Sequence, residues 1–305
     1  MQNKTFMDRL RTELPLQLMV LPGIVFMIVF GYFPIYGLII AFKSFSVTDT
    51  ISSAPWVGLD NFKIAFTDKF FWESVVNTLA ISFLKLIIGF VSPIILAIMI
   101  FEVKDGKFKK IVQTVSYLPH FLSWVVLGGM LISWLSSSGM ISTLLVNIGI
   151  MDQPRNFLVN ANNYWAIAAL SDVWKSVGWG TILYLATMAG IDPSYYEAAK
   201  IDGATKLQQI WHITLPLMKF MIILLFILAV GGILNSNLDQ TLVLINPLNA
   251  SKAEVINSYV FKIGLAQGDF SYATAVGLAI SVISLILVLV THAVTKKMND
   301  NKSVF

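Results

Sequence analysis

The chain has no cysteine at all and only three histidines, at positions 120, 212 and 292. Disulfides, thiolate metal sites and cysteine nucleophiles are therefore excluded, and the histidines lie too far apart in sequence to form a local metal motif, so no metal is expected. Charge is scarce as well: only 12% of the residues are Asp, Glu, Lys or Arg, where a soluble chain would carry about 25%. The net charge of +4 is spread over short loops, without a basic stripe interleaved with aromatics, so nucleic acid is not an expected partner. No G-x-x-x-x-G-K-[ST] occurs anywhere, so the chain is not expected to hydrolyse ATP. Nor is a catalytic constellation visible. Ser116 and His120 stand at helical spacing, but without an orienting third group they read as helix packing, and no catalytic residue is assigned.

What is present is apolar: 56% of the residues are hydrophobic. A bilayer-crossing helix needs about 20 such residues in succession. Six stretches qualify, at about 16–42, 75–101, 111–134, 164–189, 217–240 and 271–294. The expected fold class is therefore an all-α polytopic membrane protein with six transmembrane helices. It divides into an N-terminal tail (1–15), a six-helix domain (16–294) and a C-terminal tail (295–305). Lys and Arg collect in the first tail, at 104–110, at 200–219 and in the last tail, which predicts cytoplasmic termini and a cytoplasmic 190–216 segment in a bacterial plasma membrane. The first run is too long for the core of a cleaved signal. Residues 56–78, with Trp56 and Trp72, read as a short amphipathic helix on the outer surface. ISTLLVNIGI, near 141–150, is too short to span and reads as an interfacial or re-entrant helix.

The segment from Tyr195 to Pro216, YYEAAKIDGATKLQQIWHITLP, breaks the apolar pattern. Asp192 and Pro193 signal a helix start. Ala198 and Ala199 permit close approach, Gly203 permits a bend, and Asp202 stands where it would cap a following helix. Two short helices with a bend are expected, forming a docking knob for a cytoplasmic partner.

Ionisable groups inside spans are costly and therefore informative. Lys85 falls within the second span, where it reads as a paired or snorkelling side chain. Asp172 and Lys175 lie at i, i+3 on the fourth, where mutual pairing is the expectation. Trp174, Lys175 and Tyr184 on that helix are substrate-pathway candidates, because aromatic faces beside hydrogen-bonding groups suit sugar rings. Asn235, Asn237, Asp239 and Gln240 form a second candidate cluster, since four polar side chains there must face protein or water.

EAAKIDGA followed by ITLP resembles the cytoplasmic loop of permease subunits of binding-protein-dependent ABC importers, with Glu197, Ala198, Ala199, Asp202, Gly203, Ala204, Leu215 and Pro216 in the matching positions. WVGLDNF at 56–62, SYLPHFLSWVV at 116–126 and VGWGTILYLATMAGIDPSYYEAA at 177–199 are similar to sugar-type permeases. SYVFKIGLAQGDFSYATAVGL at 258–278 resembles the oligosaccharide branch, polysaccharide or lipoprotein permease-like. The resemblance implies a type I importer fold, a second homologous permease subunit, an extracellular solute-binding protein and two cytoplasmic ATPase subunits that bind ATP and Mg. It also implies that Glu197 to Ala204 seat in a groove on the ATPase. A permease for an amino acid or peptide, a secondary transporter and a membrane-embedded enzyme are the competing readings. The identity of the saccharide stays open.

Overall fold

The computed structural model describes residues 6–298, and every named element among them is helical, with one isolated antiparallel bridge between Lys43 and Trp56. The outer parts of both expected tails, residues 1–5 and 299–305, lie outside the described residues. The chain divides into two compact units, residues 1–67 with 262–279, and residues 68–261 with 280–305.

In the first unit, α1 (Phe6–Met27) continues through a widened π turn (Ile28–Tyr32) into 3₁₀ geometry (Phe33–Phe42). The apolar length Leu16–Phe42 points its side chains outward, with Met19 79% and Phe33 76% exposed, which is the arrangement lipid requires. The run ends at Lys43, where the Asn61 amide donates to the carbonyls of Ala41 and Lys43 at 2.9 and 3.0 Å. Asn61 belongs to α2 (Asp60–Thr67), the short helix expected within 56–78. Phe45 N–H donates to Ser271 Oγ at 2.8 Å in the same unit.

The second unit is built on α3 (Lys69–Glu102). Asp68 caps this helix by accepting from Phe70 N–H at 2.9 Å. It packs along much of its length against α7 (Tyr164–Ala189). Small residues set the spacing: a Cβ on Gly89 would lie 3.3 Å from Val173, and one on Gly180 3.1 Å from Pro93. Between them in sequence come α4 (Lys107–Tyr117), α5 (Trp124–Leu135) and α6 (Met140–Asn147). After α7 follow α8 (Pro193–Ile201), α9 (Lys206–Gln209), α10 (Leu215–Leu217), α11 (Lys219–Gly231), α12 (Leu238–Leu244), α13 (Ala250–Ala253) and α14 (Ile256–Phe261). The last helix, α15 (Phe270–Met298), contributes residues to both units. One core gathers Ile81, Trp124, Leu127, Leu131, Tyr164, Ala168 and Leu244; another gathers Ala97, Tyr184, Met188 and Met218.

Among the described residues, four helical lengths are long and apolar enough to cross a membrane: Leu16–Phe42, Lys69–Glu102, Trp124–Asn147 and Phe270–Lys296. A fifth is a pair, Lys206–Leu217 and Lys219–Gly231, bent by 64°. The expected six are thus not all met by apolar length. The helix expected at 164–189 forms as α7, 26 residues long, but Asp172, Lys175 and several small polar residues dilute its hydropathy. Two expected boundaries are corrected. The stretch 111–134 is not one helix: α4 stops at Tyr117, a 3₁₀ turn (Leu118–Phe121) carries Pro119, and a new helix starts on the Ser123 cap. The apolar crossing therefore begins at Trp124 and takes in the ISTLLVN piece that was expected to lie at the interface. The stretch 217–240 also breaks, because α11 ends at Gly231 and Asn237 starts a fresh helix by accepting from Gln240 N–H at 3.1 Å.

Candidate functional site

Local chemistry dictates the elbow at 192–218. Asp192 Oδ1 accepts from Ser194 N–H at 2.9 Å and Pro193 occupies the first helical position, so α8 starts where the sequence signals it. That backbone hydrogen bond holds the Asp192 carboxyl below its ordinary pKa. Helix α8 ends in a Schellman turn: Gly203 N–H donates to Lys200 O at 3.1 Å and Ala204 N–H to Ala199 O at 2.9 Å, with Gly203 at φ +79°. Asp202 does not cap the following helix as expected. It sits at the C-terminal end of α8, and the two-residue turn moves the next start to Thr205. There Thr205 and Gln208 form a capping box, with Thr205 N–H donating to Gln208 Oε1 at 2.7 Å.

The elbow is tied back to its own unit. Tyr196 and Thr214 share a hydroxyl hydrogen bond at 3.0 Å, Lys206 pairs with Glu102 at 2.7 Å, and the rings of Tyr196 and Phe101 lie 6.4 Å apart. Both Phe101 and Glu102 end α3. Glu197 and Ala198 are exposed, and so are the large apolar side chains of Tyr195, Ile201, Leu207 and Trp211, with Ile201 at 87%. At the corner of the 64° bend, Met218 is fully buried.

A cavity of about 620 Å³ opens among α3, α7 and α11, within the usual ~300–1,000 Å³ range of ligand sites. Its wall is mainly apolar, with Phe90, Pro93 and Trp179. The polar contributions are Ser82, Lys85, Asp172, Ser176, Tyr184 and Asn235. Lys85 Nζ stands 3.5 Å from Asp172 Oδ2 and donates to Gln240 Oε1 at 3.1 Å. Gln240 is itself buried and fixed, its amide donating to Ala168 O at 2.7 Å and Ser171 Oγ at 2.9 Å.

Of the expected pathway residues, Tyr184 and Asn235 line this cavity. Gln240 stands behind Lys85, Asn237 is a helix cap, and Asp239 is exposed. Trp174 packs against Trp134, ring centroids 6.2 Å apart. The expected Asp172–Lys175 pair does not form. Lys175 instead donates to the carbonyls of Pro119, His120 and Leu122 at 3.3, 2.7 and 2.5 Å, over the ring of Trp124. These carbonyls lie where α4 breaks; Pro119 O also accepts from Leu122 N–H at 3.2 Å, and an ammonium with three donors serves all three. Asp172 is then left to Lys85, the paired role expected for that lysine. Sequence reasoning missed this pairing as a cavity feature, because spacing along one helix carries no information about a partner on another. Trp179, also in the wall, stacks on His120 at 4.5 Å.

A helical membrane bundle with a hydrogen-bonded polar elbow and a cavity between its helices is compatible with a permease. Residues 89–300 match the family of binding-protein-dependent transport system inner membrane components, and the chain belongs to that family of multi-pass transport proteins. It is a permease and not an enzyme. Among its relatives, the polygalacturonan/rhamnogalacturonan transport system permease protein YteP of Bacillus subtilis (strain 168) is 39% identical over 300 residues, 98% of this chain and 93% of that one. Protein LplB of the same organism is 36% identical, covering 97% and 93% respectively. Among solved structures, a chain of the bacterial alginate ABC transporter, in complex with alginate pentasaccharide-bound periplasmic protein, superposes with a TM-score of 0.87. It is 34% identical and the match covers 98% of this chain and 99% of that one. The expected importer-permease resemblance and its polysaccharide branch are thereby borne out.

Proposed function

We propose that this chain is the passive gate of an ATP-driven importer, passing a saccharide, most simply an oligosaccharide, inward from an extracellular solute-binding protein. Its partners are a second homologous permease subunit and two cytoplasmic ATPase subunits, which hold ATP and Mg. Both termini and the 190–216 elbow face the cytoplasm.

The observation that carries this reading is the elbow itself. It exposes large apolar side chains on a hydrogen-bonded frame and is tied through Lys206 and Tyr196 to the end of α3, a helix that also lines the cavity. Glu197, Ala198, Ala199, Asp202, Gly203 and Ala204 form the seat for the ATPase. The alanines allow close packing, and the acidic groups suit basic partners. When the ATPases close on ATP the elbow is carried along, α3 and α11 follow as rigid bodies, and the cavity opens to the other side. Tyr184 and Asn235, with the aromatic face of Trp179, supply hydrogen bonds and stacking to a sugar ring in transit. The names of the relatives, which transport polygalacturonan, rhamnogalacturonan and alginate, favour a saccharide over an amino acid or peptide.

The test uses the absence of cysteine. Ile201→Cys is introduced in the full complex, reconstituted with its ATPases and binding protein. Uptake should require ATP and all subunits, and the new thiol should react only from the cytoplasmic side of intact cells. Accumulation by the isolated subunit, or labelling from outside, would overturn the reading.

A further inference from the structure

We infer that Lys85 is the point at which the cavity reads a carboxylate, and that Asp172 is its resident counter-ion when no acidic sugar is present. This rests on the saccharide reading above and narrows it to chains that carry uronate units.

Lys85 stands at the middle of the 34-residue α3, where an ionisable group is most costly and so most informative. Lys85 and Asp172 are the only charged side chains in the described wall of the cavity. Lys175, one helical turn from Asp172, is not part of that wall; its ammonium is held elsewhere, on the carbonyls of Pro119, His120 and Leu122. The cavity thus holds one cation and one anion.

The two partners of Lys85 differ in kind. Gln240 is nearer, at 3.1 Å, and immovable: it is 2% exposed and its amide is fixed by Ala168 and Ser171. Asp172 stands at 3.5 Å, wider than the ~2.7–2.9 Å of a tight charge-assisted hydrogen bond. Lys85 therefore keeps its position when Asp172 lets go. A carboxylate on an incoming sugar exchanges for the looser aspartate, whereas a neutral ring has no charge to exchange and leaves the pair closed. The aspartate also serves passage. It masks the lysine in the empty cavity, where a bare ammonium would be poorly solvated, and it keeps the substrate from being held too firmly to leave, as conduction requires.

The experiment measures direct binding to the assembled complex in lipid nanodiscs, without the binding protein, using a galacturonate trimer and a neutral trisaccharide as probes. The wild type should bind the acidic trimer more tightly, by roughly 10-fold or more for one charge-assisted contact. Lys85→Gln should abolish that preference, read as the ratio of the two affinities, while Lys85→Arg should retain it. Asp172→Asn should tighten acidic binding several-fold and slow its release. Removing one member of the pair can impair assembly, so the doubly neutral Lys85→Gln, Asp172→Asn variant is measured as well, and it too should lose the acid preference. Equal affinity of the wild type for both probes would overturn the inference, as would an unchanged acid preference in either variant that lacks Lys85. ATP-driven uptake with the binding protein present tests the import reading separately: if uptake fails while the acid preference holds, import falls and this site stands.

Discussion

Gly203 offers the sharpest test of how the elbow works. It sits at φ +79° in the Schellman turn, and a Cβ there would meet nothing within 4 Å. The cost of a side chain is therefore conformational and not steric. For alanine it is about 1–2 kcal/mol, which shifts a two-state balance by roughly 5- to 30-fold. Asparagine tolerates this region and should cost less; valine, branched at Cβ, should cost more. The expected order of coupling, measured as solute moved per ATP in the reconstituted complex, is Gly, then Asn, then Ala, then Val. Whole-complex melting should move little, since the turn is exposed. Full coupling in Gly203→Val would show that the turn is dispensable. An equal fall in all three variants would show that bulk against a partner, and not the backbone, is what matters.

Two further expectations follow from hydrogen bonds in the second unit. Lys175→Met removes the ammonium from three carbonyls at the α4–α5 break, of which Pro119 O keeps the Leu122 N–H, and should destabilise the protein by about 1–3 kcal/mol, read as a lower midpoint in thermal denaturation, with Lys175→Arg recovering part of the loss; an unchanged midpoint would refute the capping role. Asp192 has its carboxyl pKa held below 3.8 by the Ser194 N–H, so its contribution to α8 is complete above that value and fades as pH falls through the lowered folded value. Hydrogen exchange of the α8 amides should show protection that does not vary with pH near neutrality, falls in acid as Asp192 takes up a proton, and is lost in Asp192→Ala, with Asp192→Asn protected at every pH.

The elbow was largely legible in the sequence because its signals are local. Asp192–Pro193 starts a helix and Gly203 ends one, and each acts on backbone within a few residues. Asp202 misled only because Thr205 with Gln208 offered a better cap two residues beyond the glycine. The spans were legible as apolar runs, yet their breaks were not. Pro119 in an apolar stretch is compatible with a kink or a full stop, and the stop is fixed by Lys175, 56 residues away. The cavity was the least legible feature. Tyr184 was picked out as an aromatic beside hydrogen-bonding groups and Asn235 as a polar group in an apolar run, but the wall as a whole depends on Lys85 of α3 meeting Asp172 of α7 and Gln240 of α12. No periodicity within a single helix encodes such a meeting.

In the proposed switching, the 64° corner at Met218 would work as a crank. Its arms, 206–217 and 219–231, measure about 18 and 20 Å at the helical rise per residue. Because the arms are nearly equal in length, any displacement of the outer arm about the buried methionine would sweep the far end by about the same distance. That far end is Gly231, which abuts Val288 with no room for a Cβ, and it adjoins Gly232 in the wall of the cavity. In that switching the gearing would be close to one to one: travel at the elbow would reach the passage neither magnified nor dissipated, but redirected.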